Sequence, residues 1–162
     1  MSRRGRWAVY HVCCRRTLDT AAVLDRLVHH GATFSVDFFL PSAQDMIRTA
    51  APWLNRASTV FGNATEYRLL QTITDTTALP EVVVTDVPRP ARLWAFGQQA
   101  ASVAPPSRPP REVSGAADTM AGTFPAHRSR GATPAQALAE AVEAAAHFVA
   151  APPLPLPAQR RA

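Results

Sequence analysis

Two short stretches of this 162-residue chain carry groups suited to phosphate chemistry. Residues 112–124 read Glu-Val-Ser-Gly-Ala-Ala-Asp-Thr-Met-Ala-Gly-Thr-Phe, with small residues leading into an acid at a helix start. Gly115, Ala116 and Ala117 have little or no side chain, so their N–H groups can approach a ligand closely. A helix start adds unpaired N–H donors and the positive end of the helix dipole. Phosphate oxygens bind at such places. Asp118 follows directly, where a carboxylate can take a proton from an attacking hydroxyl. An Ala-rich helix start with an acidic first turn has the same appearance and no function. These residues alone leave both readings open. No Walker-type G-x-x-x-x-G-K-[ST] loop occurs in the chain.

The second stretch, residues 58–70, reads as a short buried strand, a turn and a helix. Its turn is Asn63-Ala64-Thr65-Glu66. Asn with Glu three residues later is a capping box, in which each side chain closes an orphan N–H of the other's backbone. The same pair can also face a hydrated metal, because magnesium keeps several waters and takes few protein carboxylates. The two roles are compatible.

Both stretches resemble motifs of the PfkB/ribokinase family of carbohydrate and nucleoside kinases. Residues 112–118 resemble its D-T-T-G-A-G-D signature, with Glu112-Val113-Ser114 in place of D-T-T and Ala117 in place of the second Gly. Residues 63–66 resemble its N-x-x-E motif. Thr85 matches the Thr of a V-T-x-G-x-x-G loop whose glycines are replaced by Val87 and Pro90. Asp37 matches the Asp of D-x-N-x-R, while Phe39 and Pro41 stand at its Asn and Arg. The resemblance implies transfer of the ATP γ-phosphoryl group to a hydroxyl of a sugar or nucleoside. In that scheme Gly115, Ala116 and Ala117 form the anion hole and Asp118 is the catalytic base. Asn63 and Glu66 serve Mg2+, and Thr85, Ala146 and His147 meet the nucleotide. A complete member of the family is considerably longer, and the resemblance places this chain at its C-terminal half. The expectation is therefore a chain lacking the substrate-binding half, with impaired catalysis and a sheet edge open to a second copy or a complementing chain. The alternative is a non-catalytic nucleotide-binding or assembly remnant.

The elements that position these groups follow from pattern. Residues 7–12 read as a strand, which the resemblance implies is an inner one. Residues 18–30 read as a helix with Val23, Leu24, Leu27 and Val28 on one face and Gly31 as its stop. Residues 32–41 form the strand that carries Asp37, and Ser42 caps a helix burying Met46, Ile47 and Ala50. Residues 81–86 are a β-branched strand that pairs across the 87–90 turn with residues 91–97. Residues 103–110 are a proline-broken connector. Thr133 and Pro134 open an Ala-rich helix that runs to about residue 149. Strands alternating with helices imply a three-layer α/β/α fold, ribokinase-like by resemblance, with a mostly parallel sheet and a C-terminal hairpin. The domain expected is 1–150, followed by a Pro/Arg-rich tail at 151–162.

Composition narrows the classes. All 17 basic residues are Arg, and the formal net charge is +5, but the clusters sit at the chain ends rather than on a face with stacking aromatics. No nucleic-acid partner is expected. No apolar run approaches membrane-spanning length and no secretory signal is visible, so a cytoplasmic protein without a membrane partner is expected. The cysteines, Cys13 and Cys14, are adjacent, which offers no disulfide framework. The five histidines show no ligand spacing.

Overall fold

A computed structural model describes residues 9–107 and 115–151. Expectations for Trp7, for residues 112–114 and for the tail beyond 151 lie outside the described residues. One six-stranded sheet runs through the domain in sequence order, β1 Val9–Cys14, β2 Thr33–Phe38, β3 Thr59–Asn63, β4 Val82–Asp86, β5 Arg89–Ala95 and β6 Gln98–Val103. β1 to β4 are parallel; β5 and β6 turn back antiparallel. Among the described residues β1, the strand expected to lie inside, has a hydrogen-bonded neighbour on one side only.

That order dictates the layers. The three crossovers α1 (Thr20–His29), α2 (Ala43–Leu54) and α3 (Ala64–Ile73) each step to the next parallel strand in the same direction. Right-handed crossovers then put all three helices on one face. Leu24, Ile47, Ala50, Leu54 and Leu70 pack there against Val36, Val60, Val82 and Val84. After the β4–β5–β6 meander the chain covers the other face with α4 (Ala116–Ser129) and α5 (Pro134–Ala150). Met120, Phe124, Leu138 and Ala141 meet Phe61, Val83 and Leu93 in this second core. Successive side chains of a strand point to opposite faces, which is why Val83 serves one core and its neighbours the other.

Local chemistry sets the helix ends. Asp19 caps α1 by accepting the Ala22 N–H, and Gly31, at φ +62°, ends the turn that follows it. Thr133 and Gln136 form a capping box at α5, with Pro134 at the first helical position. Ser42 does not cap α2 through its side chain. A 3-10 turn over Leu40–Ser42 precedes the helix, and the Ser42 hydroxyl donates instead to the Phe39 carbonyl at 3.3 Å. The hairpin expected across residues 87–90 is present, and β6 extends it. β6 lacks an apolar alternation because most of it is exposed, so its sequence carries no strand signal.

Candidate functional site

The carboxyl ends of the parallel strands β2, β3 and β4 meet the first turn of α4. In open α/β sheets ligands bind outside those strand ends. Asp37, Asn63 and Thr85 come from three adjacent strand ends, and Asn63 and Thr85 are direct partners in the β3/β4 register. With Gly62, Glu66, Ala117 and Met120 they line a cavity of about 130 Å3. A groove of about 1000 Å3 adjoins it and shares Asn63, Thr85, Ala117 and Met120.

Asn63 and Glu66 cap α3 reciprocally. Asn63 Oδ1 accepts the Thr65 and Glu66 N–H groups at 2.8 and 3.0 Å, and Glu66 Oε2 accepts the Asn63 N–H at 2.8 Å. Glu66 is 6% exposed. A Cβ on residue 62 would lie 3.3 Å from the Glu66 Cβ and Oε2, so glycine there gives the carboxylate room to fold back. Burial pushes the Glu66 pKa up; the Asn63 N–H opposes this and the Asp37 charge adds to it. Capping and cavity wall are therefore one arrangement.

Asp37 is the second acid of the cavity. On the same side of the sheet, His11 Nδ1 and Ser35 Oγ share a hydrogen bond of 2.9 Å, and His11 Nε2 lies 3.6 Å from Asp37 Oδ1. That separation is too long for a hydrogen bond. The buried Oδ1 accordingly has no hydrogen-bond partner. Burial raises the Asp37 pKa, but His11, Cys13 and the Arg15 charge outweigh it and hold the carboxyl below its ordinary value. Cys14, by contrast, is pushed up to about 12, chiefly by burial, and is inert as a nucleophile.

Among the described residues no group of three or more His, Cys, Asp or Glu side chains could hold a metal ion. A dehydrated protein cage is thus not what this site offers. Two acids line the cavity, one with a buried oxygen lacking a hydrogen-bond partner. This donor set fits a hydrated Mg2+ that takes most of its ligands from water and phosphate.

Gly115 precedes α4 at φ +82°, and a Cβ there would approach the Phe148 ring to 2.7 Å. Ala116 and Ala117 begin the helix itself. Ala117 needs no positive φ, so its substitution for glycine introduces no backbone strain. Asp118 lies in the first turn of α4, is exposed, and lines neither the cavity nor the groove.

The groove is walled by the β4–β5 turn (Val87, Pro88, Arg89), by Pro105, Pro106 and Ser107, and by one face of α5. Val142, Ala145, Ala146 and Val149 recur at helical spacing along that face. His147 is exposed and outside the lining, because the helix rotates it about 100° from Ala146. Thr85 lines both spaces, and its hydroxyl is 3.5 Å from the Gly62 carbonyl. Met120, the two prolines and Arg89 were not legible as site residues, although the 142/145/146/149 stripe was present in the sequence.

No protein-family model matches the chain, and no curated protein does. Solved structures do match. Adenosine kinase from Schistosoma mansoni in complex with 2-fluoroadenosine superposes at TM-score 0.75 and 16% identity, over 93% of this chain and 52% of that one. A nucleoside kinase from Methanocaldococcus jannaschii, an archaeal member of the ribokinase family, gives TM-score 0.71 at 14% identity, over 88% and 50%. A candidate ribokinase II from E. coli in complex with ATP and Mg2+ gives 0.72 at 17%, over 89% and 53%. The chain has the ribokinase-like fold, and it spans about half the length of the solved structures it matches.

Proposed function

We propose that this chain is the nucleotide-handling part of an ATP-dependent kinase that phosphorylates a hydroxyl of a sugar or nucleoside. The observation that carries the reading is the convergence of Asn63, Glu66, Thr85 and Ala117 on one cavity that opens into a groove of about 1000 Å3. Three distant segments supply those residues, and the solved structures matched above include sugar and nucleoside kinases.

In this reading Asp118 takes the proton of the acceptor hydroxyl as its oxygen bonds to the γ-phosphorus. The bridging P–O bond breaks and ADP leaves. The N–H groups of Gly115, Ala116 and Ala117 stabilise the equatorial oxygens, whose charge the α4 dipole also favours. Thr85 and Ala146 contact the nucleotide. Bound Mg2+ supplies positive charge at the phosphate oxygens, and Glu66 with Asn63 would hold it through water. A cytoplasmic setting, where ATP is available, accords with this chemistry. Among the described residues no helix is long and apolar enough to cross a membrane.

One observation favours a second reading, a nucleotide-binding module without catalysis of its own. Asp118 is exposed and borders no enclosed acceptor space among the described residues. The edge of β1, without a partner strand among the described residues, is then where a second copy or a complementing chain would add a strand. Thermal unfolding with ADP or a non-hydrolysable ATP analogue, with and without Mg2+, tests what both readings share. A Mg2+-dependent rise in Tm that shrinks in Glu66→Gln is expected. No rise at millimolar nucleotide would sink both. Phosphorylation of sugars or nucleosides by the chain then separates the first reading from the second.

A further inference from the structure

His11, Ser35 and Asp37 form a cluster that the phosphoryl transfer described above does not use. Ser35 and Asp37 stand two residues apart on β2, so they share one face of the sheet, and His11 lies opposite Ser35 in the β1/β2 register. Ser35 Oγ is 2.9 Å from His11 Nδ1, and His11 Nε2 is 3.6 Å from Asp37 Oδ1. A third strand steadies the ring. Phe61 of β3 meets it edge-on at a centroid distance of 5.9 Å, and Phe124 of α4 meets Phe61 in the same way.

These contacts assign the ring its hydrogen. A neutral imidazole has one N–H and one lone pair. A lone pair facing the Asp37 carboxylate is repelled, whereas an N–H facing it is attracted. The buried Ser35 hydroxyl supplies the matching half by donating to Nδ1, which leaves the hydrogen on Nε2. In the protonated ring Nδ1 donates to Ser35 and Nε2 keeps its hydrogen, so Asp37 faces an N–H in both states. Asp37 needs that support. Its side chain is only 15% exposed, and it shares the cavity wall with Glu66, whose pKa its charge helps to raise. Burial raises the Asp37 pKa too, and His11 is foremost among the groups that bring it back below its ordinary value.

We infer that His11, pinned by Ser35 with its hydrogen on Nε2, is a positioning residue that holds the Asp37 carboxylate in the cavity wall for the hydrated cation that accompanies the nucleotide. The inference rests on the nucleotide reading and adds to it a residue that touches neither nucleotide nor cation. His11 acts through Asp37. Partners that orient a cation's carboxylates are worth about tenfold or more in metal affinity. Contacts such as the one at 3.6 Å are often long before a ligand binds and shorten once it does.

Two measurements on the full chain test it. Nitrogen NMR of the neutral imidazole, at about pH 8.5, is expected to show the His11 hydrogen on Nε2. A hydrogen on Nδ1 would overturn the inference with no nucleotide present and would leave the nucleotide reading intact. The second measurement is calorimetric titration with ADP, in Mg2+ and in a chelator. His11→Ala is expected to weaken ADP about tenfold in Mg2+ and to leave the value in chelator unchanged. His11→Gln keeps an N–H and is expected to recover part of the loss. In an Asp37→Asn background the effect of His11→Ala is expected to vanish, because the group it acts through is gone. Equal losses in Mg2+ and in chelator, or the same loss without the Asp37 carboxylate, would mean that His11 serves the fold alone, and would overturn the inference. A parent chain that binds no nucleotide would remove the nucleotide reading itself, and the role of His11 toward the cation with it.

Discussion

Glu66 Oε2 accepts the Asn63 N–H at 2.8 Å while Asn63 Oδ1 accepts the Glu66 N–H at 3.0 Å, and both residues line the same cavity. A helix cap and a candidate ligand-binding wall are built from one pair of side chains. Substitutions can separate the two roles because they depend on different properties. The cap needs an acceptor; a cation needs a charge.

Glu66→Gln keeps an acceptor and removes the charge. The apo protein is expected to lose well under the cost of a lost cap, no more than about 0.3 kcal/mol, while the Mg2+-dependent stabilisation by ADP falls. Asn63→Ala removes the cap itself and is expected to cost about 1 kcal/mol in urea unfolding without any ligand present. Loss of apo stability in Glu66→Gln as large as that in Asn63→Ala would mean the charge belongs to the fold rather than to a ligand.

Gly115 is pinned by backbone and neighbour together. Gly115→Ala meets the Phe148 ring at 2.7 Å and holds φ at +82°. The expected loss is about 1–2 kcal/mol from the left-handed backbone, with a steric part added. Phe148→Ala in the same chain should return the steric part only, read as a coupling in a double-mutant cycle. A fully additive cycle would mean that α4 starts elsewhere in solution.

The two cavity acids oppose one another in pH. Asp37 has a folded pKa below its ordinary value of 3.8, so the folded state favours the carboxylate. Its contribution is present above that value and is lost as pH falls through the lower folded pKa. Glu66 is raised above 4.5, so it favours folding while protonated and that contribution is lost as pH rises through its folded pKa. Asp37→Asn should flatten the acid limb of the stability curve below about pH 4, and Glu66→Gln the decline above about pH 4.5. Urea unfolding across pH 2–7 (about that span) measures both.

Arg128 anchors the far end of α4. Its guanidinium donates to Glu81 Oε1 from Nε and Nη2 at 3.1 and 2.8 Å, and from Nη1 to the Ala132 carbonyl at 2.7 Å. Glu81 Oε2 in turn accepts the Thr59 hydroxyl at 3.2 Å. Arg128→Ala leaves a mostly buried carboxylate without its charge partner and is expected to cost about 1–3 kcal/mol. Arg128→Lys should recover only part, since an ammonium cannot reproduce the fork. The check is urea unfolding of the two variants side by side.

Much of the chain was legible because its signals are local. The α1 stripe of Val23, Leu24, Leu27 and Val28 packs as expected, and the Thr133–Gln136 box opens α5. The β-branched run at 82–84 is a strand buried on both faces. Local signals failed where a neighbour decided the outcome. Ser42 has the composition of a cap, yet the 3-10 turn before it redirects its hydroxyl to Phe39. β6 forms because β5 offers it hydrogen bonds, not because its own side chains prefer a pleat.

The sequence by itself determined the caps at Asn63 and Thr133, the alternation of strands with helices, and which short motifs carry acid and small residues, because each depends on groups within a few bonds of one another. Only the tertiary structure decided that Asp37 shares a cavity with Glu66, and that Ala146 faces the groove while His147 does not. It alone decided that Asp118 stands in solvent. Those relationships depend on strand register and on the rotation of α4 and α5 over the sheet. Both are set by burial of whole faces summed over distant segments, a quantity that no short window of sequence contains.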